Sequence, residues 1–159
     1  MLKSLFGCIA TAAMLVSAPA LAGGPEDRAV VEAFYTDLLS NPSGDDLPDR
    51  VKRIVAADWV TIPAGRNGPG AEGFAKTLAG FGQLIPDLTW EIEEILVDGD
   101  RYVVRGRATG TPVTTFFGIE PSGKSFEIMS IDIHTVEDGR IVQSYHVEEW
   151  ATAMRQLAQ

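Results

Sequence analysis

Along the first half of the chain, apolar positions recur at helical spacing. In PEDRAVVEAFYTDLLS, Val30, Phe34 and Leu38 form a stripe, with Val31 and Tyr35 beside it. Pro25 and the acidic residues after it suit a helix start, and NPSGDD breaks the helix. LPDRVKRIVAA repeats the pattern on Leu47, Val51, Ile54 and Val55. DWVTIP reads as a brief strand and GRNGPG as a loop. AEGFAKTLAGFGQLI is a third helix on Phe74, Leu78 and Phe81, which Pro86 ends.

Beyond Pro86 the period changes to two. LTWEIEEILV and RYVVRGRATG are strand-like runs joined around Asp98-Gly99, and KSFEIMSIDIHTV and RIVQSYHVEEW are joined around Asp138-Gly139. ATAMRQLAQ closes the chain as a short helix. Helices followed by antiparallel strands predict an α+β domain, with helices covering one face of a curved sheet.

Residues 118–125, GIEPSGKS, match the phosphate-binding pattern G-x-x-x-x-G-K-[ST]. That motif needs a helix after it, because the helix N-terminus forms half of the anion site. Here the chain runs on into FEIMSIDIHT, which alternates. The stretch is a turn and predicts no nucleotide site.

The last hairpin carries the chemistry. A two-residue turn at Asp138-Gly139 sets Asp132 opposite Tyr145. A three-residue turn with Gly139 in a bulge sets Asp132 opposite Ser144 and His134 opposite Val142. The second register sorts the strands better. It gathers Ser130, Asp132, His134, Ser144, His146 and Glu148 on one face, and Met129, Ile131, Ile133, Ile141, Tyr145 and Val147 on the other. We therefore expect the bulged turn. Left wet, the polar face would be an ordinary solvated one. Roofed by helices, it would be a polar pocket whose buried carboxylates and histidines move protons.

Asp132, His134, His146 and Glu148 are thus the candidate catalytic residues. Asp132 is the preferred acid/base because a mid-strand position is rigid, with Glu148 orienting His146. Two histidines and a carboxylate could also hold a metal, but nothing else in the spacing calls for one, and no metal or cofactor is expected. Tyr35, Trp59, Arg105 and Arg107 are candidates for holding a substrate. Arg105 and Arg107 could instead pair with Glu91 and Glu93 at a solvated face. Trp90 and Trp150 are further candidates for a pocket wall. Ser130 and Ser144 lack the strand–turn–helix setting of a nucleophilic serine.

The N-terminus adds a location. Lys3, an apolar run and Ala20-Leu21-Ala22 make a secretory signal peptide over residues 1–22, with one domain at 23–159 in the periplasm or outside the cell. Its apolar run is short for a membrane anchor, so no stable membrane association is expected after cleavage. Cys8 is the only cysteine, and a disulfide framework is excluded. Without Lys3, 12 basic residues face 22 acidic ones, a balance of −10 that repels nucleic acid.

Two pieces are family-specific: the G-I-x-P-[ST]-G-K turn at Gly118 to Lys124, and D-G-[KR]-I at Asp138 to Ile141. With FYTDLLS, IPDLTWEIEEILVDGDRYVVRGRATGT and the final RQLA, they make the chain resemble the SnoaL-like polyketide cyclase, or ester cyclase, branch of the NTF2-like superfamily. The resemblance implies a cone: a bent antiparallel sheet around a deep pocket, closed by helices. In that family's cyclases one acidic residue closes a ring by an intramolecular aldol step, without metal or cofactor. Relatives often carry Trp-Asp where this chain has Tyr145-His146. Two functions follow as expectations. One is acid/base catalysis on a small hydrophobic molecule. The other is non-catalytic binding of such a molecule in the same pocket. Relatives commonly pair through the sheet, and the apolar face from Met129 to Val147 makes a homodimer the expected assembly.

Overall fold

The computed structural model describes residues 23–65 and 67–159, so the expected signal peptide at 1–22 lies outside the described residues. Helix α1 (Pro25–Ala33) starts with proline in its first turn and runs without a break into a π-helical segment, Phe34–Leu39. The sequence predicts one continuous α-helix here. The wider turn instead brings Phe34, Tyr35 and Leu38 all into the core, and such insertions frequently mark functional sites. Helix α2 (Leu47–Ile54) follows, and its buried Arg50 fastens the end of the π segment. The guanidinium donates to the carbonyls of Asp37, Asn41 and Ser43 and to the Asp46 carboxylate. This satisfies backbone acceptors that a helix end leaves open.

Strand β1 (Val55–Ile62) begins earlier than the sequence suggests, and α3 (Gly70–Leu84) comes after the glycine-rich loop. Then come β2 (Thr89–Asp98), β3 (Arg101–Gly110), β4 (Phe126–Glu137), β5 (Arg140–Glu148) and α4 (Trp150–Ala158). The order across the curved, unclosed sheet is β1-β5-β4-β3-β2. Neighbours pair antiparallel except β1, which lies parallel to β5, so the sheet is mixed where an antiparallel one was expected. The false phosphate loop leads into β4, as its alternation requires.

The last hairpin corrects the expected register. Glu137 pairs with Arg140, so the turn has two residues, and Asp138 and Gly139 both have positive φ (49° and 69°). The bulge lies further along: Val136 pairs with Ile141 and Thr135 with Gln143, which leaves Val142 as the extra residue. Beyond it, Asp132 faces His146 and His134 faces Ser144, not Ser144 and Val142 as expected. The polar face is sorted as the alternation implies. Ile141 changes sides: it precedes the bulge and is fully buried opposite Val136.

The inner sheet face carries Tyr102, Val104, Ala108, Ile128 and Val136, and packs against Val31, Phe34, Leu38, Val51 and Leu78 from the helices. Among these apolar residues the same face buries Ser130, Asp132, His134 and Ser144. The solvated-face reading of these residues is therefore excluded.

Candidate active site

A cavity of about 170 Å³ lies between the sheet and the helices. Phe34, Trp59, Phe74, Phe81, Trp90 and Trp150 supply most of its wall, with Leu39, Leu78 and Leu88. The rings brace one another: Phe34 stacks on Phe74 with centroids 5.4 Å apart, and Trp59 lies 4.7 Å from Phe74. Ring pairs at such spacings are favoured beyond their area alone. The polar lining is sparse. Asp132, Ser144, His146 and Glu148 come from the sheet, with Thr61 and Thr77 beside them. A mostly apolar pocket with a few convergent polar groups is the usual form of a small-molecule site.

Asp132 sits on the inner face of β4 and is 4% exposed. Its Oδ2 accepts a hydrogen bond from the Tyr35 hydroxyl at 2.8 Å. Burial pushes its pKa up to about 7; the Tyr35 bond pulls it down, the Glu148 charge raises it further, and His146 and the Ser130 hydroxyl lower it. The carboxyl group therefore changes charge near neutral pH. Burial, then the Asp132 charge and this hydrogen bond, raise the Tyr35 hydroxyl well above the usual tyrosine range.

His134, two residues along, is fully buried. Its Nε2 lies 2.9 Å from the Tyr35 oxygen and its Nδ1 2.7 Å from Ser144 Oγ. Burial lowers its pKa to about 3, so it is neutral at ordinary pH. Trp59, on β1, donates its indole N–H to Ser144 Oγ at 3.0 Å. His146 behaves in the opposite way. Its Nδ1 lies 2.8 Å from a Glu148 oxygen and its Nε2 3.3 Å from the Pro63 carbonyl, and the Glu148 bond raises its pKa. All four ring nitrogens of the two histidines thus have protein partners. Among the described residues no His, Cys, Asp or Glu cluster is arranged to hold a metal ion.

Six of the eight residues singled out from the sequence come together. Asp132, His146, Glu148 and Trp59 line the cavity, whereas Tyr35 and His134 lie behind it as partners of Asp132. Tyr35 is therefore not a pocket wall, because its hydroxyl is committed to the sheet. Arg105 and Arg107 do not belong to the site. Strand alternation puts them on the outer face, where Arg105 pairs with Glu93 and Glu94, and Arg107 with Glu91, Glu93 and Glu127. Ser144 is a site residue that the sequence undervalues. A lone serine outside a strand–turn–helix setting gives no catalytic signal, although its place opposite His134 gives it a hydrogen-bonding role.

The fold and pocket define a cone-shaped α+β protein of the NTF2-like kind. The chain belongs to the SnoaL-like polyketide cyclase family, whose model matches residues 29–157. Among solved structures it is similar to IdmH from Streptomyces antibioticus, a proposed polyketide cyclase. The two are 26% identical, with 84% of this chain and 99% of that one covered and a TM-score of 0.69. It is also similar to TsrD from Streptomyces laurentii (23% identical, 83% and 94% covered, TM-score 0.72). AclR from Streptomyces galilaeus, a proposed hydroxylase, is 21% identical, with 84% and 81% covered and a TM-score of 0.67. The last two likenesses speak for the fold alone. No curated protein matches the chain significantly.

Proposed function

We propose that the protein is a cofactor-independent acid/base catalyst of a small, largely apolar carbonyl compound, with Asp132 as the proton-transferring group. The observation that carries this reading is a single buried carboxyl group, with a pKa of about 7, set in the wall of an aromatic pocket. A group poised near the working pH can both take and return a proton. Ionised Asp132 takes a proton from a carbon next to a carbonyl, and the C–H electrons pass into the enolate. The enolate carbon then attacks a second carbonyl of the same molecule and forms a C–C bond. Asp132 returns its proton to the new alkoxide. If no second carbonyl is within reach and a C=C bond is conjugated with the enolate, the proton returns to the far carbon of that dienolate, the double bond moves and the product is an isomer. His146, kept basic by Glu148, adds positive charge to the same wall while the oxyanion exists.

The test is turnover of a panel of diketones and polyketide-like aromatic ketones by wild type and Asp132→Asn. The substitution should lower turnover by ~10²–10⁴-fold, the usual worth of one acid/base group. Binding of the same compound, followed by Trp fluorescence, should persist. Equal turnover in both would remove Asp132 from the chemistry. Tight binding without turnover in wild type would favour a binding protein instead.

A further inference from the structure

The groups behind Asp132 are connected in one line: Trp59 Nε1, Ser144 Oγ, His134 Nδ1, His134 Nε2, Tyr35 Oη and Asp132 Oδ2, at 3.0, 2.7, 2.9 and 2.8 Å across the four gaps. Chemistry fixes the direction of this line. An indole N–H can only donate, so Ser144 Oγ must accept from Trp59. A serine has one proton, and the only other partner of Ser144 Oγ among the described residues is His134 Nδ1. If Ser144 donates there, neutral His134 carries its proton on Nε2 and gives it to Tyr35. Tyr35 then gives its own to Asp132 Oδ2. Every donor is used once, and the line ends on a carboxylate oxygen that only accepts.

The reverse direction is poorer. A proton on Asp132 Oδ2 would have to point at Tyr35, Tyr35 at His134 Nε2, and His134 Nδ1–H at Ser144. Ser144 would then accept twice, and its own proton would be left buried without an acceptor. An unmet buried donor of this kind is costly. Of the two carboxyl oxygens only Oδ2 has a partner at full hydrogen-bonding geometry; the Ser130 hydroxyl, which has no other partner, stands near enough to the carboxyl group to favour its charged form. The fully buried unpartnered side-chain atoms belong to Trp90, Tyr102, Arg107 and Ser130 and do not include the other carboxyl oxygen, Oδ1, so Oδ1 touches the cavity that Asp132 lines.

We propose that Trp59, Ser144, His134 and Tyr35 form a one-way hydrogen-bond chain that occupies Asp132 Oδ2 and makes Oδ1 the atom that accepts and returns the proton. His134 is a positioning residue in this scheme: it stays neutral, protonated on Nε2, whether Asp132 is ionised or not. The catalytic consequence rests on the function proposed above; the hydrogen-bond chain itself does not. Other elements do not interfere with it. From β5, His146 and Glu148 face Asp132, and from the π segment Tyr35 does. Strand β3 sets only Val104 opposite Asp132, and Tyr102 opposite His134. Phe74 and Leu78 bring no charge from α3.

Long-range ¹H–¹⁵N NMR of histidine-labelled protein tests the assignment directly, because the two neutral tautomers and the imidazolium give distinct patterns. Spectra of the full chain would be taken below and above the Asp132 midpoint. The expected result is the Nε2–H pattern for His134 on both sides. An Nδ1–H pattern that appears as Asp132 is protonated, or an imidazolium at His134, would overturn the proposal. Trp59→Phe keeps a ring but removes the fixed donor. Ser144 still has one proton and His134 Nδ1 as its one acceptor there, so the Nε2–H form should persist, and an Nδ1–H form would overturn the direction assigned to the chain. Should the variant not fold, the wild-type spectra alone decide. None of these readouts needs a substrate. Retained turnover in Asp132→Asn with the expected tautomer would therefore defeat the proposed function and leave the chain standing, and a reversed tautomer with lost turnover would do the opposite.

Discussion

Asp132 and His134 stand two residues apart on one strand face, and the same burial moves them in opposite directions. The carboxyl group is raised to about 7 and the imidazole lowered to about 3. In the unfolded chain they titrate near ~3.9 and ~6.5. Between those two values folded Asp132 holds a proton that its unfolded counterpart has lost, so its contribution to stability falls as pH rises. Folded His134 lacks a proton that its unfolded counterpart has gained, so its contribution rises with pH. Each slope is up to roughly 1.4 kcal/mol per pH unit, and the two oppose each other. Asp132→Asn removes the first slope only. Relative to wild type, the stability of the variant should then rise with pH by up to that amount per unit across the window, as read from urea unfolding at several pH values. Parallel curves would mean that Asp132 is not held protonated by the fold.

These two residues were legible in the sequence, since alternation alone places Ser130, Asp132 and His134 on one face. Their partners were less so. Tyr35 could be picked from the helical stripe, but that it bonds Asp132 depends on a contact 97 residues away in the chain. Arg50 gives no signal, because a basic residue in a short helix reads as solvated; only the carbonyls of the preceding π segment and loop show why it is buried.

At the scale of elements, the hairpin shows where pattern reading stops. The polar and apolar sets demand an extra residue between His134 and Ser144, and the sequence reading put it in the turn. The structure puts it at Val142. Both places preserve the faces beyond the bulge; they differ by two residues in pairing and in the side taken by Ile141. Hydrophobic alternation is blind to a shift of two, since period-two patterns repeat at that step. Asp138-Gly139 is a dipeptide that suits the two-residue turn with two positive φ angles, and turn chemistry was the better guide. The π segment was invisible for a related reason. A stripe at Val30, Phe34 and Leu38 fits an α-helix, and one wider turn only adds Tyr35 to the buried side.

At the scale of the whole molecule, the helices cover one sheet face, and among the described residues nothing covers the other. Met129, Ile131 and Tyr145 are about two-fifths exposed there, and Val147 is 70% exposed. The ion-paired strip of Arg105 and Arg107 lies beside them on β3. We propose that this face joins two copies of the chain across a two-fold axis, since contiguous apolar patches of that kind mark interaction sites. Sedimentation should give twice the chain mass at micromolar concentration, and Ile131→Glu should give the single mass with the histidine spectra unchanged. A monomeric wild type would reject the pairing and leave the pocket account untouched.

The central claim is that the fold holds one carboxyl group half-ionised near neutral pH inside an apolar pocket. Titration of Asp132 by ¹³C NMR of its labelled carboxyl carbon, with Asp132→Asn to assign the signal, reads this property without knowledge of the substrate. The account predicts a midpoint near the structure's value of about 7. It also predicts that the midpoint moves up in Tyr35→Phe, which loses the hydrogen bond that favours the charged form. A midpoint in the ordinary aspartate range, around ~3.9, and unmoved by that substitution, would contradict it.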